Sequence, residues 1–155
     1  MTEIFKFIID SRNAFIRLLD ELTLDELNQI PAGFNNNIIW NFGHIVVSTQ
    51  TLCYVRTGIT SDTSFVKYIE AYKKGSKPEY FVSAEEVAEL KQLAISTIQK
   101  IQEDYQKGTF EKIAPFDTST FGVLINSIEE VLVTTVGHDN THFGYAIAQR
   151  RTIKK

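Results

Sequence analysis

Ser127-Ile128-Glu129-Glu130-Val131-Leu132-Val133-Thr134-Thr135-Val136-Gly137-His138-Asp139-Asn140-Thr141-His142-Phe143-Gly144-Tyr145-Ala146-Ile147-Ala148-Gln149-Arg150 is the stretch on which the fold turns. Its centre is rich in β-branched residues (Val131, Val133, Thr134, Thr135 and Val136), which favour a strand. The apolar residues on either side keep a helical spacing, so we read the stretch as one helix from about Ser127 to Arg150. On a helix, His138 and His142 lie one turn apart on the same face. That spacing lets one helix offer two imidazoles to a single metal ion. At about 100° per residue, Val131, Thr134, Thr135, Tyr145 and Gln149 fall within about 60° of His138. The flank of the pair is therefore partly polar, as expected where side chains support a buried site. Asp139 lies about 100° off that face and reads as a surface charge, with a supporting contact to a neighbouring helix as its alternative role. Tyr145 reads as a core aromatic, with substrate contact as its alternative role.

Helical periodicity extends outward from this stretch. Ile4, Phe5, Ile8, Ile9, Phe15, Leu18 and Leu19 form one stripe on a helix from about Thr2 to Glu21. Thr23 and Glu26 have the spacing of a capping box that opens a short helix, ended by Pro31 and Gly33. Asn37 should cap a second long helix, Ile38 to about Thr57, which stops at Gly58. The segment 59–82 reads as a connection holding one short helix, too long for a tight turn. Ser83 and Glu86 make a second capping box, and the helix behind it runs to about Gln106, ended by Gly108. Segment 109–126 reads as extended chain with a small hairpin. Four long helices with unequal connections make an all-α bundle the expected architecture, over a single domain spanning residues 1–155.

The remaining histidine, His44, sits early in the second long helix, and the chain holds three histidines in all. Trp40, Val47, Ser48, Thr51 and Val55 share its face. One His from this helix and two from the last would give a three-His site with coordination positions left open, the pattern of catalytic rather than structural sites. The competing reading is that each is a hydrogen-bonded core histidine that binds nothing. Cys53, nine residues after His44, falls about 180° round a regular helix and reads as a small core or interface residue outside the site.

Composition narrows the function classes. The chain has 155 residues, 43% hydrophobic and 23% charged, in the ordinary range for a globular domain. The formal charge is -3 and no Lys/Arg stripe occurs, which argues against nucleic acid as a partner. The basic tail from Arg150 to Lys155 reads as a solvated helix end. A lone cysteine allows no internal disulfide. The first residues lack the pattern of a signal peptide, and no apolar run approaches the roughly 18 residues of a membrane span. A cytoplasmic location is the expectation.

Trp40-Asn41-Phe42-Gly43-His44 resembles the W-x-x-x-H signature of the second helix in the DinB-like (DinB/YfiT) superfamily. His138-Asp139-Asn140-Thr141-His142-Phe143-Gly144 resembles its H-x-x-x-H-x-G signature on the last helix. The resemblance implies an up-down-down-up four-helix bundle with a long crossover. It implies that His44, His138 and His142 hold a divalent ion such as zinc or nickel, and that the protein is a homodimer. Metal-dependent bacillithiol and mycothiol S-transferases and a mycothiol-dependent maleylpyruvate isomerase belong to that superfamily. The implied function is thus metal-dependent transfer onto a low-molecular-weight thiol, or hydrolysis, of a small-molecule substrate. The alternative is a non-catalytic metal-binding or stress-response bundle protein.

Overall fold

The computed structural model describes residues 1–119 and 121–154. Thr120, within the expected hairpin, and Lys155, at the end of the basic tail, lie outside the described residues. Helices dominate. They are α1 (Thr2–Asp20), α2 (Leu24–Asn28), α3 (Ile38–Gln50), α4 (Ile69–Tyr72), α5 (Ala84–Gln106) and α6 (Ile128–Ile153). The β-branched centre of α6 is helical, because its apolar positions meet the core at helical period. A minimal antiparallel hairpin joins β1 (Phe116–Asp117) to β2 (Leu124–Ile125), with Phe116 opposite Ile125. No helix among the described residues is long and apolar enough to cross a membrane.

Local chemistry sets the helix ends. Thr23 and Glu26 form the full reciprocal capping box. Asn37 caps α3 by accepting from the Trp40 N–H, and Ser127 caps α6 by accepting from the Glu130 N–H. Ser83 caps α5, but its box is not closed: the Glu86 carboxylate instead accepts from the hydroxyls of Tyr72 (2.5 Å) and Tyr80 (2.8 Å). Gly58 and Gly108 take the left-handed conformation after their helices, with φ of +75° and +77°.

α3 departs from a regular helix. From Thr51 to Arg56 it continues as a π-helical turn. Just before this turn the Thr49 hydroxyl takes the Ile45 carbonyl and the Gln50 amide takes the Val46 carbonyl. Such side-chain bonds compete with the backbone ladder for its acceptors. A helix closed by i→i+5 bonds turns less per residue. Cys53 remains off the His44 face and packs with Phe5, Ile98 and Ile101. Its burial pushes the thiol up to about 12, which keeps it a protonated core residue.

α3 is buried all round rather than along one stripe: every residue from Ile38 to Val47 is buried. α1, α5 and α6 pack against it, and the 59–82 connection lays α4 on its remaining side. The pairing of side chains fixes relative directions. Arg12 meets Asp139, Phe15 meets Phe143 and Glu21 pairs with Arg150, so α1 and α6 run alongside in the same sense. Asp20 meets Lys91 and Phe5 meets Tyr105, so α5 runs opposite to α1. Asn41 reaches Gln149 while His44 reaches His138, so α3 runs opposite to α6. The basic end of α6 is not merely solvated: Arg150 pairs with Glu21, and Lys154 donates to the Glu21 carbonyl.

Between two apolar clusters lies a polar layer. One cluster gathers Phe15, Leu19, Phe42 and Leu90; the other gathers Phe5, Ile8, Ile98 and Leu132. The layer centres on Arg12, which is 0% exposed. Its guanidinium donates to Asp139 on α6 (2.9 Å), the Ala94 carbonyl on α5 (2.9 Å), and the Ile45 carbonyl (3.2 Å) and Thr49 hydroxyl (2.7 Å) on α3. Asp139 is only 2% exposed, so it is a buried partner of Arg12 and not a surface charge. Its position off the His138 face is what turns it toward α1.

Removing one partner of such a pair leaves a buried charge uncompensated, at a cost of about 3–5 kcal/mol. Arg12→Met is expected to destabilise the protein by that amount in chemical denaturation. The double variant Arg12→Met/Asp139→Leu should recover most of the loss; a double variant as unstable as the single one would refute the pairing as the cause.

Candidate metal centre

His44, His138 and His142 come together. One potential ligand atom from each lies within 4.8 Å of the others. Their ring centroids are 5.1 Å apart for His44–His138, and 4.6 Å for each of the other two pairs. Opposed running of α3 and α6 brings the i, i+4 pair of one helix against the lone His of the other.

Hydrogen bonds settle two of the three tautomers. The His44 Nδ1 lies 2.7 Å from the Tyr72 carbonyl, which can only accept, so Nδ1 carries the proton and Nε2 offers its lone pair. The Ser48 hydroxyl, one turn on, lies 3.2 Å from that Nε2. The His142 Nδ1 lies 2.7 Å from Asn41 Oδ1. The Asn41 amide is oriented because its Nδ2 donates to the Asn37 backbone carbonyl (2.9 Å). Its Nδ2 also reaches Gln149 Oε1 (3.1 Å), and Gln149 is oriented by donating to the Asn36 carbonyl (2.8 Å). Oδ1 therefore accepts from His142 Nδ1, and the lone pair of this ring lies on Nε2.

His138 is held differently. Its Nδ1 is buried without a hydrogen-bond partner, 3.9 Å from Asp139 Oδ1, which is likewise unpartnered, as is Thr135 Oγ1 one turn earlier. A ligating imidazole ordinarily directs its other nitrogen at a carboxylate. Asp139, fixed by Arg12, stands beside that nitrogen.

Aromatic packing orients the rings. Trp40 stacks on His44 at 4.7 Å and 10°, and its indole N–H donates to Ser76. Tyr72 is pinned at three points: its carbonyl on His44, its hydroxyl on Glu86 and its ring against Gly43. A Cβ at Gly43 would sit 2.5 Å from that ring, so only glycine lets α4 approach α3 closely enough to bond His44. Tyr68, which opens α4, is held at φ +62° with its hydroxyl on Glu89. Gly144 of the last-helix motif faces open space.

Burial lowers the affinity of these rings for protons. The His44 pKa falls to about 4 and the His142 pKa to about 3, chiefly by desolvation. Both are neutral near pH 7, the form that binds metal. Three imidazoles this close, two of them with Nδ1 hydrogen-bonded to the protein, are a donor set that fits a divalent transition-metal ion.

The cluster forms one wall of a cavity of about 350 Å³. Val47, Ser48, Thr51 and Val55 line it, as their shared face with His44 implies, and so does Thr134. Tyr145 lies outside the lining of this cavity and is 53% exposed, so it is not the core aromatic its angle suggests; its ring meets Phe34. A larger hollow of about 530 Å³ lies between the end of α5 and the start of α6, and among the described residues no cluster of potential metal-ligating side chains lines it.

A family description, DinB superfamily, matches residues 8–146. The chain belongs to the DinB superfamily. No curated protein matches it. The matched span contains all three histidines and the Arg12–Asp139 pair. Neither Arg12, Asn41 nor Tyr72 stood out from sequence, although Arg12 breaks the apolar run between Ile8 and Phe15 at core spacing.

Gly43→Ala should drive Tyr72 away from His44 and weaken metal affinity about 10–100-fold, the range for loss of such supporting bonds. Gly144→Ala, placed in open space, should leave it unchanged; equal effects of the two in a metal titration would refute the role of Gly43. Unfolded imidazoles take up protons below about 6.5, whereas the folded ones resist until about 4 and about 3. The contribution of these two rings to the stability of the metal-free protein is therefore full above about pH 6.5 and lost as pH falls through about 4 and about 3. Denaturation midpoints across that range should fall less steeply in His142→Gln.

Proposed function

We propose that this chain is a single DinB-like domain over residues 1–155 that binds one divalent ion, zinc or nickel, through His44, His138 and His142. The reading takes the four long helices as an up-down-down-up bundle with the 59–82 segment as its crossover. The paired residues between α1, α3, α5 and α6 support that arrangement. The observation that carries the metal reading is the meeting of three imidazoles whose second nitrogens are engaged by, or set beside, protein groups.

The activity we infer is metal-dependent transfer onto a low-molecular-weight thiol, or hydrolysis, with a small molecule as substrate. A divalent ion held by His44, His138 and His142 would supply Lewis acidity toward a thiol or a substrate carbonyl. The chain's own residues do the rest. Tyr72 and Asn41 hold two imidazoles in the ligating tautomer, Trp40 fixes the plane of His44, and the apolar wall of Val47 and Val55 limits water. We infer a cytoplasmic homodimer with neither nucleic acid nor membrane as partner; the net charge of -3 supports the former exclusion. A non-catalytic metal-binding or stress-response role is the second reading, favoured by the fact that the ligands come from two different helices, which an ion would staple together.

Protein purified without a histidine tag and supplied with zinc or nickel should retain about one equivalent per chain, measured by elemental analysis. Less than about a tenth of an equivalent would sink the metal reading, and His138→Ala should sharply lower affinity. A thiol-conjugation and hydrolysis screen on the loaded protein separates the two functions: turnover supports the enzyme. A metal-dependent rise in unfolding temperature with no turnover supports the second reading.

A further inference from the structure

The cavity above the histidines carries a charge pattern that the metal reading does not use. An imidazole ligand brings no negative charge to a metal ion, and the carboxylate beside the cluster, Asp139, is already paired with Arg12. A divalent ion held there would keep its full charge until an anionic donor joined it. At the cavity wall stand three cations, Arg56, Lys73 and Lys74, against one carboxylate, Asp117.

Arg56 is positioned rather than loose. Its Nη2 donates to the Asp117 carbonyl (3.0 Å), and its guanidinium lies 5.0 Å from the centre of the Phe116 ring. A regular helix would carry residue 56 about 120° away from the His44 face. The π turn rotates it back, so Arg56 and Leu52 line the same cavity as His44. The hairpin supplies its other support, through Phe116 and Asp117. Lys73 is engaged by Glu70. Among the described residues Arg56 and Lys74 make no ion pair. Val47, Leu52 and Val55 give the cavity an apolar wall.

We propose that this cavity takes a small anionic molecule with one donor at the three-His cluster, a short apolar middle along Val47, Leu52 and Val55, and a carboxylate or phosphate-type tail at Arg56 and Lys74. The proposal rests on the metal reading and adds the substrate's charge to it. Arg56 and Lys74 act in binding: they select the anionic tail and draw it in through the field at the entrance.

The test uses cobalt(II)-loaded protein and three thiols of one chain length: 3-mercaptopropionate, 3-mercaptopropylphosphonate and the neutral 3-mercapto-1-propanol. Affinities are read from the thiolate-to-cobalt absorption band. At low salt at least one anionic thiol should bind about tenfold more tightly than the neutral one, with the advantage shrinking as salt is added. Which anion gains more distinguishes a carboxylate from a phosphate-type tail. In Arg56→Gln/Lys74→Gln the ratio of anionic to neutral affinity should fall to about twofold or less at unchanged cobalt content. Equal affinities in the parent protein, or a ratio that survives the double substitution, would overturn the proposal. If cobalt does not bind, the three-His reading fails by itself, and the rim is judged on metal-free protein titrated with succinate. Amide shifts at residues 56, 74 and 117–118 then support it, and their absence overturns it.

Discussion

A single buried guanidinium organises this fold. Arg12 enters the apolar stripe of α1 at a core position and is wholly removed from water. A charge so placed must be matched and its donors satisfied. The chain meets that demand with a carboxylate from α6, carbonyls from α5 and α3 and a hydroxyl from α3. These groups are far apart in sequence, so their meeting fixes the axial register of four helices at once. Apolar contacts above and below could tolerate a slide; a directional set of hydrogen bonds around one guanidinium cannot.

The same layer sets up the histidines. Asp139 is adjacent to His138 in sequence, so anchoring its carboxylate on Arg12 fixes the rotation of α6 that turns His138 and His142 toward α3. From the other side, α3 is surrounded: α4 is pressed on it at Gly43, and the Tyr72 carbonyl is delivered to His44. The Asn36–Gln149–Asn41 chain does the corresponding work for His142. The geometry of the three imidazoles thus depends on groups from α1, α4, the loop before α3 and both helices that carry the histidines. The polar cluster is tolerated in a desolvated interior because most of its donors are spoken for. Among the described residues the buried side-chain atoms without a partner, Thr135 Oγ1, His138 Nδ1 and Asp139 Oδ1, gather at the histidine cluster.

Much of this was legible in the residues. Apolar periodicity and capping chemistry located the long helices to within a few positions, because those signals are local. The i, i+4 spacing of His138 and His142 and the face shared by His44, Val47, Ser48, Thr51 and Val55 pointed at the cavity lining. Other features were hidden for definite reasons. Asp139 and Arg12 each look like an ordinary surface charge until the partner helix is in place. Glu86 has capping-box spacing, yet two tyrosine hydroxyls from the preceding connection outcompete the backbone for it. Tyr145 sits on the expected face by angle, but lies far enough along α6 to leave the site.

By itself, the sequence determined the helical elements, their caps, and which faces carry the histidines, since these follow from periods and hydrogen bonds spanning only a few residues. Tertiary structure alone decided which imidazole nitrogen is free, how Arg56 turns onto the cavity through the π turn, and that a buried ion pair stands behind His138. Those outcomes depend on carbonyls and carboxylates brought from distant segments, and neither spacing nor composition encodes the orientation of a group whose partner lies a hundred residues away.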